Sequence, residues 1–303
     1  MTPACPGVVA VTGATGFIGR YLCDHFRGLG WDVRALARTT STYPFATEGI
    51  QIFSCDLPDR VDEDALNGAE VLVHCAYMTR YTELAAAKRV NELGTRKLLE
   101  LARSRGVDRF VFLSSQSAHD EAESYYGRSK LELEKLFLPD RDVIFRSGLV
   151  LGKAGAGLFH RMCDMVRQSR ILPLFGGGHQ LIQTIHVQDL CRATEEVVRK
   201  ELTGLFTVAE PRAMELRKFL RAIAARLGRR PLFVPFPMSP ALTFLRTLEA
   251  LRFPFPVSSE NLLGLKCLRA TETTEDLDRL GITVRSASES LDEILGPGPD
   301  FSA

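Results

Sequence analysis

The 303-residue chain lacks the marks of several protein classes. No apolar run approaches the roughly 18 residues that a membrane-crossing helix needs, so no membrane span is expected. The opening "MTPACPGVVAVTG" has no basic stretch ahead of an apolar one, which speaks against a secretory signal. Neither sign of charge is in excess: 38 Lys and Arg face 37 Asp and Glu, a net charge of +1, so nucleic acid is not an expected partner. The seven cysteines are odd in number, scattered, and form no CxxC pair. Their pattern argues against a disulfide framework or a zinc site, and for thiols kept in a reducing, cytoplasmic compartment. No internal repeat or low-complexity tract interrupts a globular composition, 45% hydrophobic and 25% charged.

What the chain does have is an alternation. Residues 8–12, 31–37, 50–55, 71–76, 109–114 and 142–146 are compact apolar runs of the kind a parallel sheet buries on both faces. Between them, 17–29, 82–105 and 125–138 carry apolar residues at helical spacing, as Leu98, Leu99, Leu101 and Ala102 illustrate. Strand and helix in turn imply right-handed crossovers and an α/β fold with a doubly wound parallel sheet. After about residue 150 come two Gly-rich loops, "LGKAGAGLF" and "LPLFGGGHQ", and six prolines within 231–256 flanking a helix at 241–252. Further helices are expected at 187–200, 214–227 and 287–295. The chain thus divides into a sheet domain over 1–150 and a smaller substrate-binding lobe over 151–303 that partly returns to the sheet.

"VTGATGFIGR", residues 11–20, sets Gly13, Gly16 and Gly19 between the first strand and the first helix. A phosphate needs backbone N–H groups unobstructed by side chains, at the positive end of a helix. Gly13 makes the tight turn, Gly16 lets the backbone approach a pyrophosphate, and Gly19 lets the helix lie close to the sheet. Tyr126 and Lys130, four apart in the predicted helix 125–138, share one face. A phenol with a pKa near 10 is a poor base at neutral pH, and a neighbouring ammonium favours its phenolate.

The spacing TGxxGxxG resembles the short-chain dehydrogenase/reductase family, and "TGATGFIGR" resembles its extended branch. The resemblance continues in order through "CDL" (55–57), "VHCA" (73–76), "VNELGT" (90–95), "FVFLSS" (110–115), "YGRSK" (126–130), "VIFRSGLVLG" (143–152) and "IHVQDL" (185–190). It implies a Rossmann-type nicotinamide site formed by Gly13, Thr15, Gly16, Phe17, Ile18 and Gly19. It also implies that Asp56 and Leu57 border the adenine and that Ala76 runs beside the middle of the cofactor. Tyr126 then moves a proton to or from the substrate oxygen as hydride is transferred, and Lys130 also binds the nicotinamide ribose. Ser115 aligns with the family's polarising hydroxyl, and Asn91 with an asparagine near the site that is structural or positions water. Family members that use NAD usually carry Asp where this chain has Ala37, followed by Arg38. Loss of the carboxylate and gain of a guanidinium point to NADP(H), with NAD(H) as the alternative and Arg20 as a second nearby charge. Relatives commonly dimerise through helices equivalent to 82–105 and 125–138, which makes a homodimer an expectation.

Many extended members act on nucleotide sugars, but two features separate this chain from them. Only ten residues lie between Ser115 and Tyr126, where those enzymes have a longer loop. Ile182, Gln183, Thr184 and Ser147 stand where those enzymes carry a diphosphate-binding Arg and an Asn, although Arg161, Arg167 and Arg170 offer positive charge from 156–170. Three readings stay open for its small-molecule chemistry. The first is hydride transfer on a sugar nucleotide or related compound, by epimerisation or reduction. The second is reduction of a less polar carbonyl compound, with the Phe- and Pro-rich 231–256 stretch lining the pocket. The third is a cofactor-binding accessory role like that of the dehydrogenase-like subunit of respiratory complex I.

Overall fold

The structure, a computed structural model, describes residues 6–38, 49–153, 155, 157–251, 253 and 257–298. The last residue of the predicted helix 241–252, residues 254–256 of the proline-rich stretch, residues 154 and 156 of the 151–159 loop and Cys5 lie outside the described residues. In chain order the strands are β1 (Val8–Thr12), β2 (Asp32–Ala37), β3 (Ile50–Asp56), β4 (Arg60–Val61), β5 (Val71–His74), β6 (Arg109–Ser115) and β7 (Val143–Ser147). They continue with β8 (Leu149–Leu151), β9 (Ile171–Phe175), β10 (Leu181–Ile182), β11 (Thr184–His186), β12 (Gly204–Val208), β13 (Met214–Glu215) and β14 (Leu232–Phe236). The helices are α1 (Phe17–Gly28), α2 (Leu84–Lys88), α3 (Gly94–Ser104), α4 (Tyr125–Glu134), α5 (Leu158–Gln168) and α6 (Val187–Arg199). After these come α7 (Leu216–Arg226), α8 (Met238–Ala250), α9 (Ser259–Lys266), α10 (Thr274–Leu280) and α11 (Ala287–Leu295). None of the described helices is long and apolar enough to cross a membrane.

An eight-stranded sheet runs in the order β12-β7-β6-β5-β1-β2-β3-β4. β1 pairs in parallel with both β2 and β5, β2 with β3 and β5 with β6, while the short β4 turns back antiparallel on β3. The expected doubly wound α/β fold is therefore the fold observed. Strand order reverses beside β1, which opens a crevice at its carboxyl end, where open α/β sheets hold their ligands. The chain separates into two compact units. The first comprises residues 1–114, 132–145 and 190–206, and the second 115–131, 146–189 and 207–303.

In the first unit, the continuous burial of β1, β5 and β6 and the apolar face of α3 produce a core that includes Leu36, Leu66, Leu72, Leu98, Phe110 and Phe112. The predicted helix 82–105 is interrupted by a π-helical turn at Arg89–Leu93, between α2 and α3. The second unit packs α5, α7 and α11 around Phe159, Leu172, Phe219, Ile223 and Leu291. Its two-stranded ribbons, β8 with β11 and β9 with β14 in parallel and β10 with β13 antiparallel, are too short to stand without that core.

Glu210 is a buried carboxylate in the second unit. It accepts from the Ala287 N–H at 2.7 Å and the Thr184 hydroxyl at 3.1 Å, yet burial pushes its pKa up to about 7. The folded state thus holds a proton that the unfolded chain, titrating near 4.5, gives up. The stabilisation is complete below pH 4.5 and is lost as pH rises through 7, a change of about 3 kcal/mol. Urea unfolding of the native protein and Glu210→Gln across that window is expected to show this downward slope in the native protein and its loss in the variant.

Candidate functional site

In the first unit, Gly13 makes a tight turn and Gly19 a close approach of helix to loop. Gly13 has φ +63°, and a Cβ there would lie 2.8 Å from the Ala76 nitrogen. A Cβ on Gly19 would lie 2.3 Å from the Gly13 carbonyl oxygen, so α1 can approach the loop only without a side chain. The Gly16 N–H closes the turn on the Gly13 carbonyl at 2.8 Å, and Gly16 caps α1 without any side-chain hydrogen bond to the helix. Thr15 and Gly16 are exposed, whereas Phe17 and Ile18 are half-buried. A cradle that side chains would fill, at a helix start with no side-chain cap, fits a dinucleotide pyrophosphate.

Around it runs a directed hydrogen-bond relay. Thr12 Oγ1 accepts from the Ala76 N–H at 3.3 Å and donates to His74 Nδ1 at 2.7 Å. His74 Nε2 then donates to Thr95 Oγ1 at 3.0 Å, and Thr95 donates to the Asn91 carbonyl at 2.6 Å. Each hydroxyl has one proton to give, which places the imidazole proton on Nε2. Asn91 is buried within the π-helical turn, and its side-chain amide grips Met78 twice. Oδ1 accepts from the Met78 N–H at 2.7 Å, and Nδ2 donates to the Met78 carbonyl at 3.1 Å. Asn91 is singled out in the sequence, but its link to His74 is not.

Arg38 follows β2, exposed, with no ion pair among the described residues; Ala37 before it is buried. Asp56 is exposed at the end of β3, and Leu57 is a core residue against Gly94, where a Cβ would come within 2.9 Å of it.

Ser115, Tyr126 and Lys130 all belong to the second unit. Burial holds the Tyr126 phenol above its ordinary value near 10, and a hydrogen bond with Ser115 offsets only part of that rise. Eleven positions apart in sequence, the two hydroxyls are brought together by the turn after β6. There the Ala118 N–H donates to the Ser115 carbonyl at 2.9 Å, and the Ser117 N–H to Ser115 Oγ at 3.2 Å. Lys130 is buried one turn along α4 from Tyr126. Sequence reasoning missed two supports. A Cβ on Gly127 would lie 2.3 Å from the Ser117 carbonyl oxygen, so the helix bearing Tyr126 touches the Ser115 turn only through glycine. The start of α4 is held by Ser124 Oγ, which accepts from the Gly127 N–H at 3.2 Å, and by Glu260, which accepts from the Tyr125 N–H at 2.6 Å. The local signal was "SYYG", a Ser three positions before a Gly.

Gln183 is buried and fully used. Its Oε1 accepts from the Thr271 N–H and Gln116, and its Nε2 donates to the carbonyls of Glu210, Pro211 and Thr271. Asp189, also buried, accepts from the Arg285 N–H at 2.8 Å. A cavity of about 370 Å³ in this unit is lined by Gln116, His119, Arg146, Thr207, Arg269 and Thr271, among others.

Residues 9–205 match the model of the NAD dependent epimerase/dehydratase family. The chain is 30% identical over 247 residues to a ceramide reductase of Caulobacter vibrioides (strain NA1000 / CB15N), covering 78% of this chain and 76% of that one. It is 24% identical over 284 residues to the mitochondrial NADH dehydrogenase (ubiquinone) 1 alpha subcomplex subunit 9 of Arabidopsis thaliana, covering 88% and 70%. A solved structure of MoeE5 in complex with UDP-glucose and NAD shares the fold, with a TM-score of 0.73 at 23% identity over 96% of this chain and 97% of that one.

Proposed function

Because the chain belongs to the NAD dependent epimerase/dehydratase family, and is thus an NAD(P)-dependent oxidoreductase or epimerase, we propose that it reduces a weakly polar carbonyl compound with NADPH. The observation that carries this reading is the Ser115–Tyr126 hydrogen bond with Lys130 buried one turn along the same helix. A bound nicotinamide cofactor supplies the hydride. Ser115 Oγ and Tyr126 Oη together hold the carbonyl oxygen, and Tyr126 gives it a proton as negative charge develops there. Lys130 favours the phenolate left behind and so offsets the effect of burial on that phenol. The glycine cradle at Gly13, Gly16 and Gly19 holds the pyrophosphate, and Asn91 fixes the 77–80 segment rather than taking part in the chemistry.

Two features support an apolar substrate. Gln183, within the 182–184 segment where nucleotide-sugar enzymes carry a diphosphate-binding Arg, has no hydrogen-bonding capacity left for a ligand. The relative of highest identity named above is a reductase of ceramide, a lipid. A sugar-nucleotide substrate is the second reading, favoured by the chain-long fold similarity to MoeE5. Turnover of NADPH with a panel of long-chain ketones, and none with nucleotide sugars, is the expected result; the reverse preference overturns the proposal.

Preference for the phosphorylated cofactor rests on Ala37 and Arg38. Arg38→Asp is expected to weaken NADPH binding by about tenfold or more and to improve NADH binding, because it exchanges a phosphate partner for a ribose-hydroxyl partner. Fluorescence titration with both cofactors measures the switch. Equal loss for both would mean that Arg38 does not face the 2′-phosphate.

A further inference from the structure

The near-zero net charge conceals a strong local segregation. Residues 216–253 contain eight Lys and Arg and a single acid, Glu249, in a chain whose total is only +1. Two of those cations are engaged within the unit: Arg217 pairs with Glu215, and Arg226 with Asp292. Arg221 lies over the Phe233 ring, 5.9 Å from its centroid. Arg229, Arg230 and Arg246 are exposed and, among the described residues, form no ion pair; nor does Arg170, at the foot of β9.

The same stretch exposes apolar side chains in order. The parallel ribbon of β9 and β14 buries Leu172 and Leu174, with Phe233 half-buried beside them, on its inner face. A water-facing outer side is ordinarily polar. Here it carries Ile171 (60% exposed), Pro173, Leu232 (62%), Val234 and Phe236. The chain runs from Phe236 directly into α8. There Phe244 and Leu251 (72% exposed), seven positions apart, share one helix face with Leu248, beside the buried Ala241 and Leu245. Phe253 (61% exposed) follows. Where the arginines meet the ribbon, Arg221, Arg229, Arg230 and Phe233 line a cavity of about 410 Å³.

We propose that this face of the second unit, β9 and β14 with α8 and with Arg221, Arg229, Arg230 and Arg246, docks on the surface of an anionic lipid bilayer. Charge complementarity selects the occupant. A second copy of the chain would set one cationic face against another. A nucleic acid or an acidic protein would satisfy the arginines but leave Leu232, Phe236 and Leu251 wet. A bilayer surface takes both, apolar side chains entering the acyl boundary while guanidinium groups stay among anionic headgroups. The binding is peripheral and owes nothing to the reaction proposed above.

Sedimentation of the full chain with vesicles tests it without any turnover. Binding to phosphatidylglycerol vesicles is expected at about 0.1 M salt, with little binding to phosphatidylcholine and release at about 0.5 M. Arg229→Glu with Arg230→Glu is expected to weaken the binding at least about tenfold, and Phe236→Ser with Leu251→Ser to do the same. Both variants should keep the native melting temperature and NADPH affinity. Failure of the native protein to sediment, variants that bind as it does, tighter binding to duplex DNA than to the vesicles, or concentration-dependent dimerisation abolished by the arginine changes would each overturn the proposal.

Discussion

Tyr126→Phe is expected to lower kcat by about 10²–10⁴-fold, the range associated with loss of a positioned proton donor. The substitution removes one oxygen and leaves the ring, so α4 and its contacts stay in place. NADPH affinity, measured by fluorescence titration, should change by less than about threefold, since the glycine cradle and Arg38 are untouched. The partner change, Ser115→Ala, removes the hydroxyl that bonds to the phenol and should raise the kinetic pKa assigned to Tyr126. A Tyr126→Phe enzyme with near-native turnover would remove the phenol from the chemistry altogether.

Gly127→Ala should have nearly as large an effect, although it adds only a methyl group. That carbon would sit 2.3 Å from the Ser117 carbonyl oxygen, a backbone atom that cannot turn aside. Either the first turn of α4 or the 115–118 turn must move, and with it the separation of the two hydroxyls. A displacement of about 1 Å at reacting groups can cost about 10²-fold in rate. Overpacking of this kind also costs about 1–3 kcal/mol of stability. Steady-state kinetics together with thermal melting separate the two effects. Full activity in a stably folded Gly127→Ala protein would mean that the contact does not set the Ser115–Tyr126 geometry.

Strands β1, β2, β3, β5, β6 and β7 were legible because each is an apolar run bounded by turn residues; β1 was read at its observed bounds and the other five to within two residues at each end, whereas β4 and β12, at the two edges of the sheet, were not read. The glycine loop was legible for a related reason: strand, turn and helix are contiguous, so a local pattern carries the whole arrangement. The ribbons β8, β10, β11 and β13 were not, since two or three residues have no period of their own and pair only because the core positions them. β9 and β14 were hidden further by Pro173 and Pro235 and by outward apolar residues that break the expected alternation. At the candidate site, the Ser115–Tyr126 pairing depends on a turn whose geometry is set by backbone hydrogen bonds and by Gly127. The π-helical turn of Arg89–Leu93 leaves no mark on the helical pattern around it. Neither its position nor the reach of Asn91 could be read from residue types.

That reach has a chemical meaning of its own. A primary amide is a peptide group carried on a side chain, with one carbonyl and N–H donors in the same plane. By meeting both the N–H and the carbonyl of Met78, Asn91 does for that residue what a neighbouring strand does elsewhere in the sheet. The segment beyond β5 thus has a sheet neighbour one residue long, delivered by a helix. An aspartate in the same place would keep the acceptor and set a carboxylate against a carbonyl, so the amide is required at this position for its resemblance to the backbone.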